Sequence, residues 1–267
     1  MFNIEIDNAT ITKKGISAII DFYKTMSIDS LQQPDVVAFA TGVDSPFLNV
    51  IIDTRSYRQN SSDLIKSAAN FFDKHNVSWG WFITPGSNEN DLLQQGLSLL
   101  EEAPAMYFDL SNPLPDIKSD LIRIHEVDSN DDLKEWIQPI NEGFEATEGE
   151  DSYRKLNVDV LKRGSGKLRH FVAYYQNNLA ASGTLFLSDD SVMLHNLATK
   201  TAYTKRGIAT ALTYHMMQQA KQLGFKHCFL DSSEDGFRLY QKIGFKVYST
   251  TLIYSSKTRQ ENEIQYS

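Results

Sequence analysis

Asn196-Leu197-Ala198-Thr199-Lys200-Thr201-Ala202-Tyr203-Thr204-Lys205-Arg206-Gly207-Ile208-Ala209-Thr210-Ala211-Leu212 is the stretch on which the reading of this chain turns. A strand-like run ends at its start, a polar loop follows, and a helix opens at a glycine. Ile208, Ala211, Leu212, Met216 and Ala220 recur at helical spacing, which predicts a long helix over 207–223 with Gly224 as its C-terminal cap. The first turn of such a helix has free backbone N–H groups at the positive end of the dipole, a seat for phosphate or pyrophosphate. Gly207 has no Cβ and Ala209 is small, so an anion can come close to the backbone, while Lys205 and Arg206 add positive charge. Taken alone, the loop fits an ordinary strand-to-helix connection equally well.

Upstream of the loop, 168–175, 179–187 and 192–198 read as strands, joined by Gln176-Asn177-Asn178 and Ser188-Asp189-Asp190. Downstream lie a strand over 226–230, a short helix over 235–243 capped by Gly244, and a strand over 245–254. Farther back come a strand at 121–126 and a helix whose apolar face is Leu133, Trp136, Ile137, Ile140 and Phe144. Ser129 and Asp132 form its capping signal, and Pro139 is a candidate kink. An acidic loop, 145–151, precedes another helix ending at Arg163.

Pro113 and Pro115 mark a linker over 110–120, which divides the chain into 1–117 and 118–267. The first half closes in a similar way: a strand at 47–53, a helix at 61–75, a strand at 78–84, a helix at 89–100 and a strand at 105–110. Strand, helix, strand, helix, strand thus occurs twice, about 145 residues apart, a weak internal repeat that turn statistics alone can also produce.

Several chemistries fall away. Gly164-Ser165-Gly166-Lys167 resembles the end of a nucleotide-triphosphate loop. It lacks a glycine at Leu161 and a hydroxyl at Leu168, and it precedes a strand rather than following one. The six histidines show no zinc spacing, so no metal is expected. One cysteine, Cys228, excludes an internal disulfide and sits in an apolar run as a core residue. The net charge of −8 argues against a nucleic-acid partner and suits a cationic one. No apolar run is long enough to span a membrane, and the N-terminus has no signal-peptide pattern; a cytoplasmic protein is expected.

A second motif completes the picture: Asp231-Ser232-Ser233-Glu234-Asp235-Gly236-Phe237-Arg238-Leu239-Tyr240-Gln241-Lys242-Ile243-Gly244-Phe245. Together with Thr204-Lys205-Arg206-Gly207-Ile208-Ala209, it resembles the cofactor core of the GNAT superfamily of N-acetyltransferases. That family has a loop of the form [Q/R]-x-x-G-x-[G/A], then a long helix, a strand and a segment similar to A-S-x-x-G-x-x-L-Y-x-K-x-G-F. The resemblance covers the chain from the linker to the tail. The first half resembles the degenerate N-terminal lobe of two-lobed members, because its equivalent loop over 53–60 has no glycine.

What the resemblance implies is an α/β (α+β) fold of two GNAT-like lobes, each a mixed, mostly antiparallel sheet flanked by helices. It implies transfer of an acetyl group from acetyl-CoA to an amine by direct attack in a ternary complex. The backbone of Leu197, Ala198 and Thr199 would hold the carbonyl and pantetheine arm, on a strand that family members splay from its neighbour. Thr204, Lys205, Arg206, Gly207, Ile208, Ala209 and Thr210 would hold the pyrophosphate. Thr204 departs from the family's Gln or Arg, which removes one contact. Tyr240 matches the usual proton donor to the departing thiolate, although it also reads as a tyrosine packed beside Phe245. His195, nine residues before Thr204, is the candidate base, with near-normal pKa, or else a satisfied core histidine. Alternation would place Met193, His195, Leu197 and Thr199 on one face. In the acidic loop, Glu145 and Glu148 are candidates to attract the acceptor, or simply solvated. Two other readings stay open: a non-catalytic acyl-CoA-binding or regulatory protein, and an acetyltransferase that modifies proteins or peptides.

Overall fold

The computed structural model describes residues 7–33, 36–54, 62–83, 89–117, 119–127, 133–144 and 150–256. Two compact units emerge. One comprises residues 1–25 with 106–246, the other residues 26–105 with 247–267. They do not follow the division at 117/118. Each unit takes a segment from the far end of the chain: the first takes the N-terminal helix, the second the last strand.

In the first unit, α1 (Asn8–Met26, through Thr25) precedes the final residues of β5 (Leu97–Asp109, from Met106). Then come β6 (Ile122–Val127), α4 (Leu133–Gly143), α5 (Glu150–Lys162), β7 (Leu168–Tyr175), β8 (Asn178–Leu187) and β9 (Ser191–Thr199). A 3-10 turn (Thr201–Tyr203), α6 (Ile208–Gln222), β10 (His227–Asp231) and α7 (Glu234–Ile243) complete it. The strand order is β5-β10-β9-β8-β7-β6. β6 to β9 form an antiparallel meander, whereas β9 and β10 are parallel and joined through α6. The alternating apolar residues of the meander supply two layers. Phe171, Ala181, Leu185, Val192 and Leu194 bury against α6, in a core that includes Leu212, Met216 and Cys228. Val172 and Ala198 on the other face bury against Leu133, Trp136 and Ile140 of α4.

The second unit contains β1 (Asp29–Gln33), β2 (Val36–Ala40), β3 (Val50–Asp53), α2 (Ser62–Asp73), β4 (Gly80–Ile83), α3 (Glu89–Gln94), the start of β5 and β11 (Lys246–Ser256, from Val247). Its order is β1-β2-β3-β4-β11-β5. β3 and β4 are parallel and joined through α2, the same arrangement as β9-α6-β10. The expected repeat therefore has a structural counterpart in β3-α2-β4-α3-β5 and β9-α6-β10-α7-β11.

Some boundaries differ from the sequence reading. The helix expected over 89–100 stops at Gln94, because Gly96 turns the backbone left-handed (φ 84°) and Leu97 enters β5. Helix α1 and strands β1 and β2 were not expected. The linker is tied down rather than loose: Gln218 donates to the Pro115 carbonyl (2.8 Å) and Lys221 to that of Asn112 (2.7 Å). Helix α4 continues through Pro139. The capping pair Ser129 and Asp132 lies outside the described residues.

Candidate active site

Parallel pairing of β9 with β10 covers only Ser191–Met193 against His227–Phe229. Beyond Met193 the β10-side edge of β9 is open, while its other edge stays paired with β8 through Thr199. An α-helix begins just past the end of this open edge. Gly207 is its N-cap, left-handed at φ 78°, and Lys205 is also left-handed at φ 60°. The first N–H that folds back on the helix is that of Ala211, to the Gly207 carbonyl (3.0 Å). Among the described residues, the N–H groups of 205–210 donate no hydrogen bond. A Cβ on Gly207 would meet nothing within 4 Å, so open space lies over the helix start. Unspent donors, the positive end of the helix dipole and open space together suit an anion.

The loop is braced from the opposite side. Glu142, at the end of α4, accepts the N–H of Thr201 (2.7 Å), and Lys200 reaches Gln138 (3.2 Å). Glu142 is thus occupied in shaping the turn. Arg206 lies over the Tyr175 ring, 5.2 Å from its centroid. The Thr204 hydroxyl donates to the Thr201 carbonyl (3.1 Å), so the residue that departs from the family pattern is used inside the loop.

A bulge interrupts β9. Ser182 pairs with Ala198 and Thr184 with His195, so Asn196 and Leu197 both stand opposite Gly183. Asn196 takes the left-handed conformation (φ 55°), one that asparagine tolerates better than most residues. The extra residue breaks the alternation: Leu194 and Leu197 pack on the α6 side, Ala198 on the α4 side. Met193, His195, Leu197 and Thr199 therefore do not share a face. A Cβ on Gly183 would come within 2.9 Å of the Met216 side chain, so the residue facing the bulge has almost no space for one.

His195 turns away from α6. Its ring stacks on Phe22 of α1, centroids 3.9 Å apart and planes 16° apart, and Phe22 meets Phe186 edge-on. Burial lowers the His195 pKa from its ordinary 6.5 to about 4, and Nε2 is buried without a hydrogen-bond partner. The near-normal pKa expected of a base is not found, because an aromatic side chain from the distant N-terminus covers the ring. Next to it in the cross-strand row, Thr184 accepts from Trp136 Nε1 (3.2 Å) and bonds His170 Nδ1 (2.9 Å). His170 is fully buried and its pKa falls to about 3.

Tyr240 belongs to the core on the α6 side, with Leu194, Ile208 and Cys228. Helix α7 is N-capped by Ser233, which accepts from Gly236 N (3.2 Å), and closes at Gly244 (φ 110°). The tyrosine ring lies on the first turn of its own helix, where a Cβ on Gly236 would be 2.9 Å from Tyr240 Cε2. It also meets Phe245 edge-on at 5.7 Å. Burial raises the phenol pKa, with nearby Cys228 adding to the shift. Among the described residues its hydroxyl makes no hydrogen bond. Cys228 is itself buried and unreactive, its thiol pushed up by burial.

Glu145 and Glu148 lie outside the described residues. Asp151 is committed to ion pairs with Arg154 (2.6 Å) and Lys155 (2.5 Å). Of the loop expected over 53–60, only Asp53 and Thr54 are described. Among the described residues, no helix is long and apolar enough to cross a membrane, and no group of three or more His, Cys, Asp or Glu side chains is placed to hold a metal ion.

Residues 130–245 match the model of the Acetyltransferase (GNAT) family. The fold of nearly the whole chain is shared with solved GNAT structures. A GCN5-related N-acetyltransferase from Kribbella flavida superposes with TM-score 0.74 at 13% identity, over 94% of this chain and 97% of that one. A second, from Sphaerobacter thermophilus, gives 0.62 at 15% identity, over 83% and 76%. A tandem GNAT protein from the clavulanic acid biosynthesis pathway gives 0.57 at 10% identity, over 93% and 95%. No curated protein matches the sequence.

Proposed function

We propose that the chain is an acetyl-CoA-dependent N-acetyltransferase with a single cofactor site, in the unit that carries β9, α6 and α7. The observation that carries this reading is the run of unspent N–H donors over 205–210, directly after the open edge of β9. Gly207, Ile208, Ala209 and Thr210 present N–H groups to the pyrophosphate, with Lys205, Arg206 and Thr204 beside them. Asn196 through Thr199 offer backbone groups to the acyl carbonyl and the pantetheine amide. The thioester supplies an already activated acyl group, so positioning and stabilisation of the developing oxyanion are the protein's main tasks.

Tyr240 donates a proton to the departing thiolate. Its lack of a hydrogen-bond partner leaves the hydroxyl available, and the raised pKa keeps it protonated. Replacement by phenylalanine removes only that proton. Turnover of Tyr240→Phe falls by roughly 10²-fold while the Kd for acetyl-CoA stays within about twofold. Unchanged turnover in a thiol-release assay removes Tyr240 from the mechanism.

His195 lies on the acceptor side of β9 as a neutral ring. A group that holds a proton only near pH 4 does not draw one from an alkylammonium of pKa about 10, so the acceptor attacks as the free amine. Rate therefore rises with pH until the acceptor's own amine is deprotonated, with no inflection near 6.5. His195→Gln lowers kcat/KM by the same factor at every pH from 6 to 9; a loss confined to low pH makes His195 the base after all. Glu145 and Glu148 raise the local concentration of cationic acceptors, an effect that salt screens. The unit of residues 26–105 with 247–267 binds no cofactor.

The deciding experiment follows free thiol release from acetyl-CoA with an arylalkylamine, a polyamine, a lysine peptide and aminoacyl-tRNA as acceptors. Release with any of them establishes the transferase and its acceptor class. Tight acetyl-CoA binding with no release from all four favours the non-catalytic alternative.

A further inference from the structure

The bulge at Asn196 is the one irregularity in the strand that faces the acyl group, and something must hold it. A left-handed non-glycine residue costs energy even for asparagine, and such strain persists only where the surrounding structure holds it. Here the Asn196 side chain is tethered: its Nδ2 donates to the hydroxyl of Tyr153, on α5, at 2.9 Å. Tyr153 is in turn held in place. Its ring lies 5.9 Å from that of Trp136, and the buried Asn157 donates to its backbone carbonyl at 2.9 Å. Trp136 closes the frame by donating to Thr184 of β8, the strand paired with β9 through the bulge. Helices α4 and α5 thus grip both strands on either side of the irregular peptide.

The position of the bulge gives this tether its importance. It falls after the β9–β10 ladder has ended at Met193 and before the turn at Thr201, within the segment that offers backbone groups on the open edge. A regular strand through 196–197 would point those groups differently.

We infer that Tyr153 is a positioning residue for acyl transfer: through its hydroxyl bond to Asn196 it fixes the bulge, and so aims the β9 backbone at the acyl carbonyl. The inference rests on the assignment of β9 to the acyl group made above. It predicts a specific pattern. Tyr153→Phe removes the tether and leaves the packing. Asn196→Gly removes the tether but permits the left-handed backbone. Asn196→Asp keeps both, since a carboxylate accepts from the Tyr153 hydroxyl and aspartate also tolerates φ above zero.

The test uses the full chain with [1-13C]acetyl-CoA. Bound to wild type, the carbonyl resonance shifts from its free value. In Tyr153→Phe and in Asn196→Gly it returns toward the free value, the Kd for acetyl-CoA stays within about twofold, and kcat with the best amine of the panel falls roughly tenfold, the loss expected for one orienting hydrogen bond. The double variant loses no more than either single one, because both remove the same bond. Asn196→Asp restores the carbonyl shift and most of kcat. A carbonyl resonance identical in wild type and Tyr153→Phe overturns the inference, as does a parallel loss of Kd, melting temperature and kcat in the two single variants. The resonance and turnover arms separate the two readings. A Tyr153-dependent shift in a protein without turnover sustains the inference and defeats the transferase, whereas acetyl-CoA that fails to bind wild type defeats both.

Discussion

Gly207→Glu is expected to abolish acetyl-CoA binding to an otherwise folded protein. The reasons are local. At φ 78° the position favours glycine, so any side chain adds strain, on the order of 1–2 kcal/mol. A Cβ there meets nothing within 4 Å, so even a larger side chain has room and the fold survives. The added carboxylate, however, sits among the unspent N–H groups of 205–210 and competes with the pyrophosphate for them. Its charge also repels the ligand at the helix end that should attract it. The Kd rises by at least about 100-fold, equivalent to about 2.7 kcal/mol. Gly207→Ala separates strain from charge: it adds the strain without the carboxylate, so its loss is much smaller. Calorimetry should give one site per chain in wild type and none in Gly207→Glu. A second site of similar affinity that survives the substitution places cofactor binding elsewhere.

Acidification gives the other large effect. His170 and His195 both have folded pKa values, about 3 and about 4, below their ordinary 6.5. Between those values and 6.5 the unfolded chain binds more protons than the folded one, so stability rises with pH through that window and is level above it. Read downward, stability is fully present above about pH 6.5 and is lost as the pH falls toward 4. For His170, which is fully buried, the loss is about 1.4 kcal/mol per pH unit below 6.5. His195 adds to the same trend. Urea midpoints at pH 7.5, 6.5 and 5.5 should therefore be flat and then fall, before most carboxylates begin to titrate. His170→Gln keeps a hydrogen-bonding amide beside the Thr184 hydroxyl and removes the titration, so its midpoint falls less steeply from pH 6.5 to 5.5. Equal slopes in the two proteins mean that His170 does not drive the acid sensitivity.

The core of the candidate site was legible because its signals are local. Gly207 after two basic residues, the apolar spacing from Ile208 to Ala220, and Tyr240 between Gly236 and Gly244 all act within one or two helical turns. Backbone geometry at a helix start follows from nearby residues, and the structure places α6 and α7 within a residue or two of their expected bounds. The bulge also left a local trace: Gly183 inside an otherwise apolar strand is a recognised sign of irregular pairing opposite. Strict alternation through Leu197 takes no account of that glycine, and the bulge opposite it is where the faces of β9 depart from alternation.

Other features left no trace that a single sequence could carry. Phe22 lies 173 positions before His195 and stacks on it. Nothing near His195 in sequence announces that its ring is covered and its pKa lowered. The Tyr153–Asn196 bond and the capping of Thr201 by Glu142 likewise join residues that only folding brings together. An ordinary polar residue in a helix carries no mark of the strand it will touch.

Sequence by itself determined the family resemblance, the order of strands and helices around α6, and the start of that helix at Gly207, because each depends on backbone preferences and periodicities that act over short spans. Tertiary structure alone decided which segments make up each compact unit, which face of β9 each side chain occupies, and the protonation of His195. These depend on burial and on partners distant in the chain, and desolvation is a property of the packed environment rather than of the residue.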